Sequence, residues 1–176
     1  MPLRDAIQAR RSERSFARRP LDLQTLSDLL WAAFGPVSPK RRSAPSSHNR
    51  QETELYVLLE QGAYRYEALE NRLVGVTEED LRAASGSQDY VGTAPLELAY
   101  VADKRKITGK TDRGVVETIY VDTGFISQNV YLFCASEGLA TVVRAMVPKD
   151  SLSAKLNLSP YQEITLVQTV GWKPEE

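Results

Sequence analysis

The stretch from about Arg113 to Glu137 constrains this chain more than any other. Val116, Ile119, Tyr120, Thr123, Ile126, Val130, Phe133 and Cys134 recur in it at spacings of three and four, the pattern of an α-helix with a buried face. Tyr131 and Leu132 widen the apolar surface beyond a single stripe. Such a helix needs apolar partners on more than one side, so it lies at the centre of a fold or in a subunit interface. Asn129 interrupts the apolar face and is expected to satisfy buried backbone there. Cys134, on the same face, reads as inert packing.

The flanking segments mix helix and strand patterns. Leu3, Ala6 and Ile7 mark a short helix, and Leu23, Leu26, Leu29, Leu30 and Ala33 a second one that Gly35-Pro36 stops. Leu55 to Leu59 has the content of a buried strand. Tyr64 to Glu67 alternates like a half-exposed strand, with Arg72 to Val76 as its partner across a turn at Ala68 to Asn71. Thr77 before Glu78-Glu79-Asp80 predicts a helix N-cap and a short helix beyond it. Leu96 to Val101, Thr141 to Val147 and Ile164 to Val170 read as strands, with a helix near Lys149 to Leu156 between the last two. The Lys104-Arg105-Lys106 cluster reads as solvated. From Gly35 to Asn49, three prolines and four serines without apolar periodicity predict a loop, and its length marks it as functional. The 176 residues, 42% of them hydrophobic, suffice for one good core, so one domain is expected over residues 1–176.

Two polar segments carry the chemistry. Arg10-Arg11-Ser12-Glu13-Arg14-Ser15-Phe16 sets three guanidiniums and a hydroxyl within five residues. Guanidinium binds phosphate oxygens in bidentate, charge-assisted pairs, so this is a ready phosphate cradle. The same residues also read as a solvated basic end to the helix that starts near Leu3, offsetting its C-terminal dipole. The second segment, Ala44-Pro45-Ser46-Ser47-His48-Asn49-Arg50-Gln51, gathers hydroxyls and amides behind a proline, suited to hydrogen-bonding a flat polar ligand. A third feature is Arg144, a lone guanidinium in the apolar run Leu139 to Val147. Either the strand end is exposed or Arg144 faces a ligand.

Taken in order, these segments resemble the FMN-dependent nitroreductase family. There a motif like Arg10 to Phe16 opens the chain and holds the flavin phosphate, and a loop like Pro45 to Gln51 comes from the partner subunit. The resemblance extends through Gly124-Phe125-Ile126-Ser127-Gln128-Asn129, the Glu137-Gly138-Leu139-Ala140 turn and the closing Gly171-Trp172, and so spans nearly the whole chain. It implies an α+β fold, a largely antiparallel sheet of four to five strands surrounded by helices, in an intertwined homodimer with FMN at the interface. It assigns the phosphate to Arg10, Arg11, Ser12 and Arg14, and a partner-subunit contact to Pro45, Ser46, Ser47, Asn49 and Gln51. Gln88 matches an amide that contacts the flavin pyrimidine, though it also reads as a surface amide. Val143, Arg144, Ala145 and Met146 match backbone lying along the flavin ring. Ala145-Met146 stands where relatives often have Glu-Gly, which leaves Arg144 to face the ring's N1/O2 edge. The implied reaction is ping-pong hydride transfer from NAD(P)H, as co-substrate, to a small-molecule electron acceptor such as a nitro compound or quinone, with no side chain acting as acid or base.

Two departures widen the expectation. The basic arm that usually follows the last strand is replaced by Trp172-Lys173-Pro174-Glu175-Glu176, leaving Lys173 as its one candidate. This ending, with the Tyr64-Arg65-Tyr66 strand, also resembles the branch related to flavin-dependent azoline dehydrogenases, so a flavin dehydrogenase of an organic heterocycle and a non-catalytic flavin-binding protein stay open as alternatives. Other classes fit poorly. A net charge of −1 provides no field for nucleic acid. One His and one Cys make no zinc constellation, and no G-x-S-x-G, G-x-G-x-x-G or Walker pattern occurs. With no apolar leader or spanning segment, the expectation is a cytoplasmic protein without a membrane partner.

Overall fold

The computed structural model of the chain describes residues 1–175. It is α+β. Helix α1 (Leu3–Ala9) and helix α2 (Leu23–Phe34) come first, followed by a small antiparallel ribbon of β1 (Pro36–Ser38) and β2 (Arg41–Arg42). Then come strands β3 (Thr53–Leu59), β4 (Gly62–Glu67), β5 (Arg72–Thr77) and β6 (Leu96–Asp103), and the long helix α3 (Asp112–Ser136). Strand β7 (Leu139–Arg144), helix α4 (Lys149–Lys155) and strand β8 (Gln162–Trp172) close the chain.

The main sheet runs β5-β4-β3-β6-β8-β7 with every neighbour antiparallel. It has six strands, where four to five were expected. The extra width is the β4–β5 hairpin continuing past β3, and residues 139 onward pairing with β8 to form the opposite edge. Both faces are covered, which is why β6 is buried along its whole length and carries no polar alternation. Leu96, Leu98 and Tyr100 meet α2 and α3 on one face. On the other, Ala99 and Val101 meet Leu152 and Leu156 near α4. Asn129 donates to the Ala32 carbonyl at 3.0 Å, tying α3 to α2 as its polar side chain required.

Three local expectations change. No α-helix follows Thr77. Thr77 Oγ1 does accept from the Glu79 amide at 3.2 Å, but Asp80 then captures the Arg82 amide and guanidinium at 3.0 and 2.7 Å, and only a 3₁₀ turn at Ala83–Ser85 results. Such short-range carboxylate bonds compete with the helical ladder. The stretch from Gly35 to Asn49 holds the β1–β2 ribbon and a 3₁₀ turn at Ser47–Asn49 instead of being wholly irregular. The strand expected to reach Val147 stops at Arg144. Among the described residues no helix is long and apolar enough to cross a membrane, and no group of His, Cys, Asp or Glu side chains is placed to hold a metal ion.

Candidate functional site

Helix α1 ends at Ala9, so Arg10 to Phe16 is not helical; it runs along the outer edge of β7 and on to the end of β8. Glu13 donates its amide to the Thr141 carbonyl at 2.9 Å, and Ala17 donates to the Trp172 carbonyl at 2.9 Å. Tyr131, on α3, fixes the segment from below. Its hydroxyl shares a 2.7 Å hydrogen bond with Ser12 Oγ and accepts from the Val143 amide at 3.1 Å. One phenol thus joins the Arg segment to the β7 backbone. Sequence reasoning saw only an apolar face in Tyr131; its polar tip was the available signal.

The guanidiniums of this segment are not equivalent. Arg11 is ion-paired with Glu13, which also lies 3.5 Å from Lys173 Nζ. Arg10 sits over the Tyr131 ring, 5.4 Å from its centroid. Among the described residues neither Arg10 nor Arg14 has a carboxylate within ion-pair distance. Arg14 is exposed, and with Arg144 it works against the burial that raises the Tyr90 hydroxyl. Arg10, Ser12 and Arg14 therefore remain available to an anion, while Arg11 and Lys173 are already partly neutralised by Glu13. Packing among Arg11, Glu13, Tyr131 and Lys173 leaves only about 10 Å³, so an anion would rest on the surface of this segment. That donor set fits a phosphate monoester.

The Gln88 loop joins the same end of the sheet. Phe16 meets the Tyr90 ring at 5.5 Å, and Gln88 Oε1 accepts from Arg144 Nη1 at 3.3 Å. Arg144 itself points inward. It is 6% exposed and donates to Glu97 Oε2 at 2.5 Å, to the Ser85 carbonyl at 2.9 Å and to Ser85 Oγ at 3.3 Å. This corrects both readings of Arg144: the strand end is not solvated there, and the guanidinium is taken up by a buried carboxylate. Gly86 packs close beside it: a Cβ there would stand 2.2 Å from Arg144 Nη1 and would push the guanidinium aside. Glu97 also accepts from Thr169 Oγ1 at 2.9 Å, and burial lifts its carboxyl against the pull of Arg144. Ala145 and Met146 are exposed, so they carry the free end of β7.

The Pro45 to Gln51 loop lies elsewhere. Asp122, 2% exposed on α3, accepts from the Ser47 amide at 2.8 Å. Asp122 thus anchors this loop to the long helix. Ser46 Oγ accepts from the Gln51 amide at 2.9 Å, and Gln51 and Asn49 both donate to the Lys40 carbonyl, at 3.0 and 2.8 Å. Gln51 Oε1 accepts from Arg42 at 2.9 Å, so much of the Gln51 amide is committed within the loop. His48, Asn49 and Gln51 all adopt positive φ, near 50°, which holds the turn open. Beside it Glu52 is fully buried with neither carboxylate oxygen hydrogen-bonded, and burial, with Asp122 close by, pushes its carboxyl up to about 7. Asp122 and Tyr131 are nine residues apart on α3, about 14 Å along its axis. Within one chain, then, the Arg segment, Gln88 and β7 come together, and the Pro45 to Gln51 loop stands apart from them.

Comparison with known proteins identifies the family of the chain. Residues 7–172 match the model of the Nitroreductase family. A candidate nitroreductase of Methanocaldococcus jannaschii is 30% identical, across 98% of this chain and 92% of that protein. The crystal structure of a candidate nitroreductase from Ralstonia eutropha JMP134 superposes with a TM-score of 0.94 at 35% identity, covering 100% of this chain and 85% of that one. The Escherichia coli microcin synthetase McbBCD complex contains a chain of the same fold, with a TM-score of 0.79 at 21% identity over 94% of this chain and 71% of that one.

Proposed function

Because the chain belongs to the nitroreductase family, a family of flavin-type oxidoreductases, we propose that it binds FMN and works as an NAD(P)H-dependent oxidoreductase. The observation that carries this reading is the convergence of Ser12 and the Val143 amide on the Tyr131 hydroxyl, which draws a phosphate-type donor set and the free end of β7 to one point. The chemistry supplied by bound FMN is ping-pong hydride transfer, from NAD(P)H, which then leaves, to an electron-poor organic acceptor such as a nitro compound or quinone. Arg10, Ser12 and Arg14 hold the phosphate, with Arg11 at their side. Gln88, Val143, Ala145 and Met146 border the ring. Arg144 acts behind them, through Gln88 and Ser85. These residues bind and orient; none is asked to move a proton.

The second half of the site comes from a partner copy. Pro45, Ser46, Ser47, Asn49 and Gln51 stand too far along α3 to serve the Arg segment of their own chain, and this separation supports a homodimer in which each loop serves the other subunit. Val116, Val121 and Phe125 on α3, and Leu3 and Ile7 on α1, are exposed apolar side chains for such an interface to cover.

The visible spectrum tests the reading directly. After FMN reconstitution and desalting, flavin absorbance is retained and bleaches on anaerobic addition of NADPH or NADH. Retained flavin that neither nucleotide bleaches sinks the NAD(P)H assignment and favours a dehydrogenase or storage role. Arg14→Glu is expected to lose the flavin while the dimer persists in sedimentation; unchanged flavin content rules out the phosphate assignment.

A further inference from the structure

A cavity of about 300 Å³ lies between the start of β3, the ribbon strand β2 and the β4–β5 turn, within the size range of small-molecule sites. Phe34, Leu55 and Tyr66 give it apolar walls, and Arg42, Arg65 and Lys106 bring cations to it. Arg65 is already engaged, by Glu67 at 2.8 Å and Glu54 at 3.7 Å. Arg42 is not. Its Nε donates to the neutral Gln51 amide, its guanidinium lies 5.8 Å from the Phe34 ring centroid, and its Nη1 is buried with no hydrogen-bond partner. Among the described residues no carboxylate comes within ion-pair distance of it, and burial pulls its pKa below the ordinary value. Thr53 Oγ1, on the same wall, is also buried and unpartnered.

A half-buried guanidinium without an anion and a buried hydroxyl without a partner are each unfavourable, and a ligand group that met both would relieve them. A carboxylate offers two oxygens to the planar guanidinium and a lone pair to the hydroxyl. We propose that this cavity binds a small organic monocarboxylate with a flat apolar body, its carboxylate on Arg42 and Thr53 and its body among Phe34, Leu55 and Tyr66. Glu54, Glu67 and Glu70 also line the cavity and are held by Arg65 and Arg72. Gln51, the partner of Arg42, also belongs to the loop assigned above to the partner's flavin, so the two sites meet at that residue.

The test is calorimetric titration of the purified full chain, with whatever flavin it retains, using phenylacetate and its neutral isostere phenylacetamide. Phenylacetate is expected to bind saturably and at least about tenfold more tightly than the amide. Arg42→Gln removes that preference, whereas Arg41→Gln, a change at the exposed neighbour on the same strand, keeps it. Should Arg42→Gln fail to fold by circular dichroism, Thr53→Val replaces it, with a loss of about threefold for phenylacetate alone. No saturable phenylacetate binding, no preference over the amide, or an undiminished preference in the variant overturns the proposal.

Discussion

The two ends of β6 bury charge in opposite ways. At its start, Glu97 lies against Arg144, with side chains 0% and 4% exposed, and Ser85 and Thr169 fill most of the remaining hydrogen-bonding positions. At its far end, where Ala102 pairs with Thr53, Arg42 is half-buried with a neutral amide for company and Glu52 is fully buried near a second carboxyl. The first arrangement is a weld between β6, β7 and the Gln88 loop. In the second, unfavourable electrostatics persist in the folded chain until a proton or an anion relieves them. A buried charge therefore has different consequences according to whether its counter-charge is built in.

The largest expected effect breaks the weld. Glu97→Ala leaves the Arg144 guanidinium buried without a carboxylate and is expected to cost about 3–5 kcal/mol in urea unfolding at pH 8. Glu97→Gln with Arg144→Met should recover much of that loss. A cost under about 1 kcal/mol for the single change would show that the pair is not holding these strands together.

Next comes the proton at the other end. The Glu52 carboxyl, held up to about 7 against an ordinary 4.5, keeps its proton to higher pH in the folded than in the unfolded chain. Its stabilising contribution is full below about pH 4.5 and is lost as pH rises through 7, a fall of about 2–3 kcal/mol across that window. Unfolding free energies between pH 4.5 and 8 should therefore decline, and Glu52→Gln should flatten about half of the decline; Glu97, which burial also raises to about 7, accounts for a comparable share. A wild-type profile that rises over this range refutes the assignment.

Arg42→Met sharpens the contrast from the opposite side. Removing a guanidinium that has no anion should change stability by no more than about 1 kcal/mol, against the several expected for Glu97→Ala. Smallest of all is Arg11→Gln. Its pair with Glu13 is exposed on the Arg11 side, so less than about 0.5 kcal/mol is expected in the same unfolding assay.

The apolar layers were legible in the sequence because burial on both faces leaves β3 and β6 without polar alternation and marks α3 with its three-and-four spacing. Arg10 to Phe16 and Pro45 to Gln51 were legible as polar segments with unusual chemistry. Their anchors were not. Tyr131 meets Ser12 across 119 residues, Asp122 meets Ser47 across 75, and Arg144 meets Glu97 across 47, distances over which no spacing rule operates. Glu97 did leave a trace, as an acid set between Leu96 and Leu98 in a run that is otherwise apolar. The missing helix after Thr77 shows the converse: a good N-cap was present, but Asp80 bonded Arg82 and diverted the backbone.

Both polar segments are mounted on α3 by single hydroxyl or carboxylate grips, and a helix transmits rotation as faithfully as a crankshaft. Inserting one residue between Asp122 and Tyr131 would turn one grip about 100° from the other and slide it about 1.5 Å. Four inserted residues would bring the grips back to within about 40° of their original facing, though about 6 Å farther apart. Length changes during divergence are thus expected in the β1–β2 ribbon or the β4–β5 turn, while the nine-residue interval on α3 keeps its count.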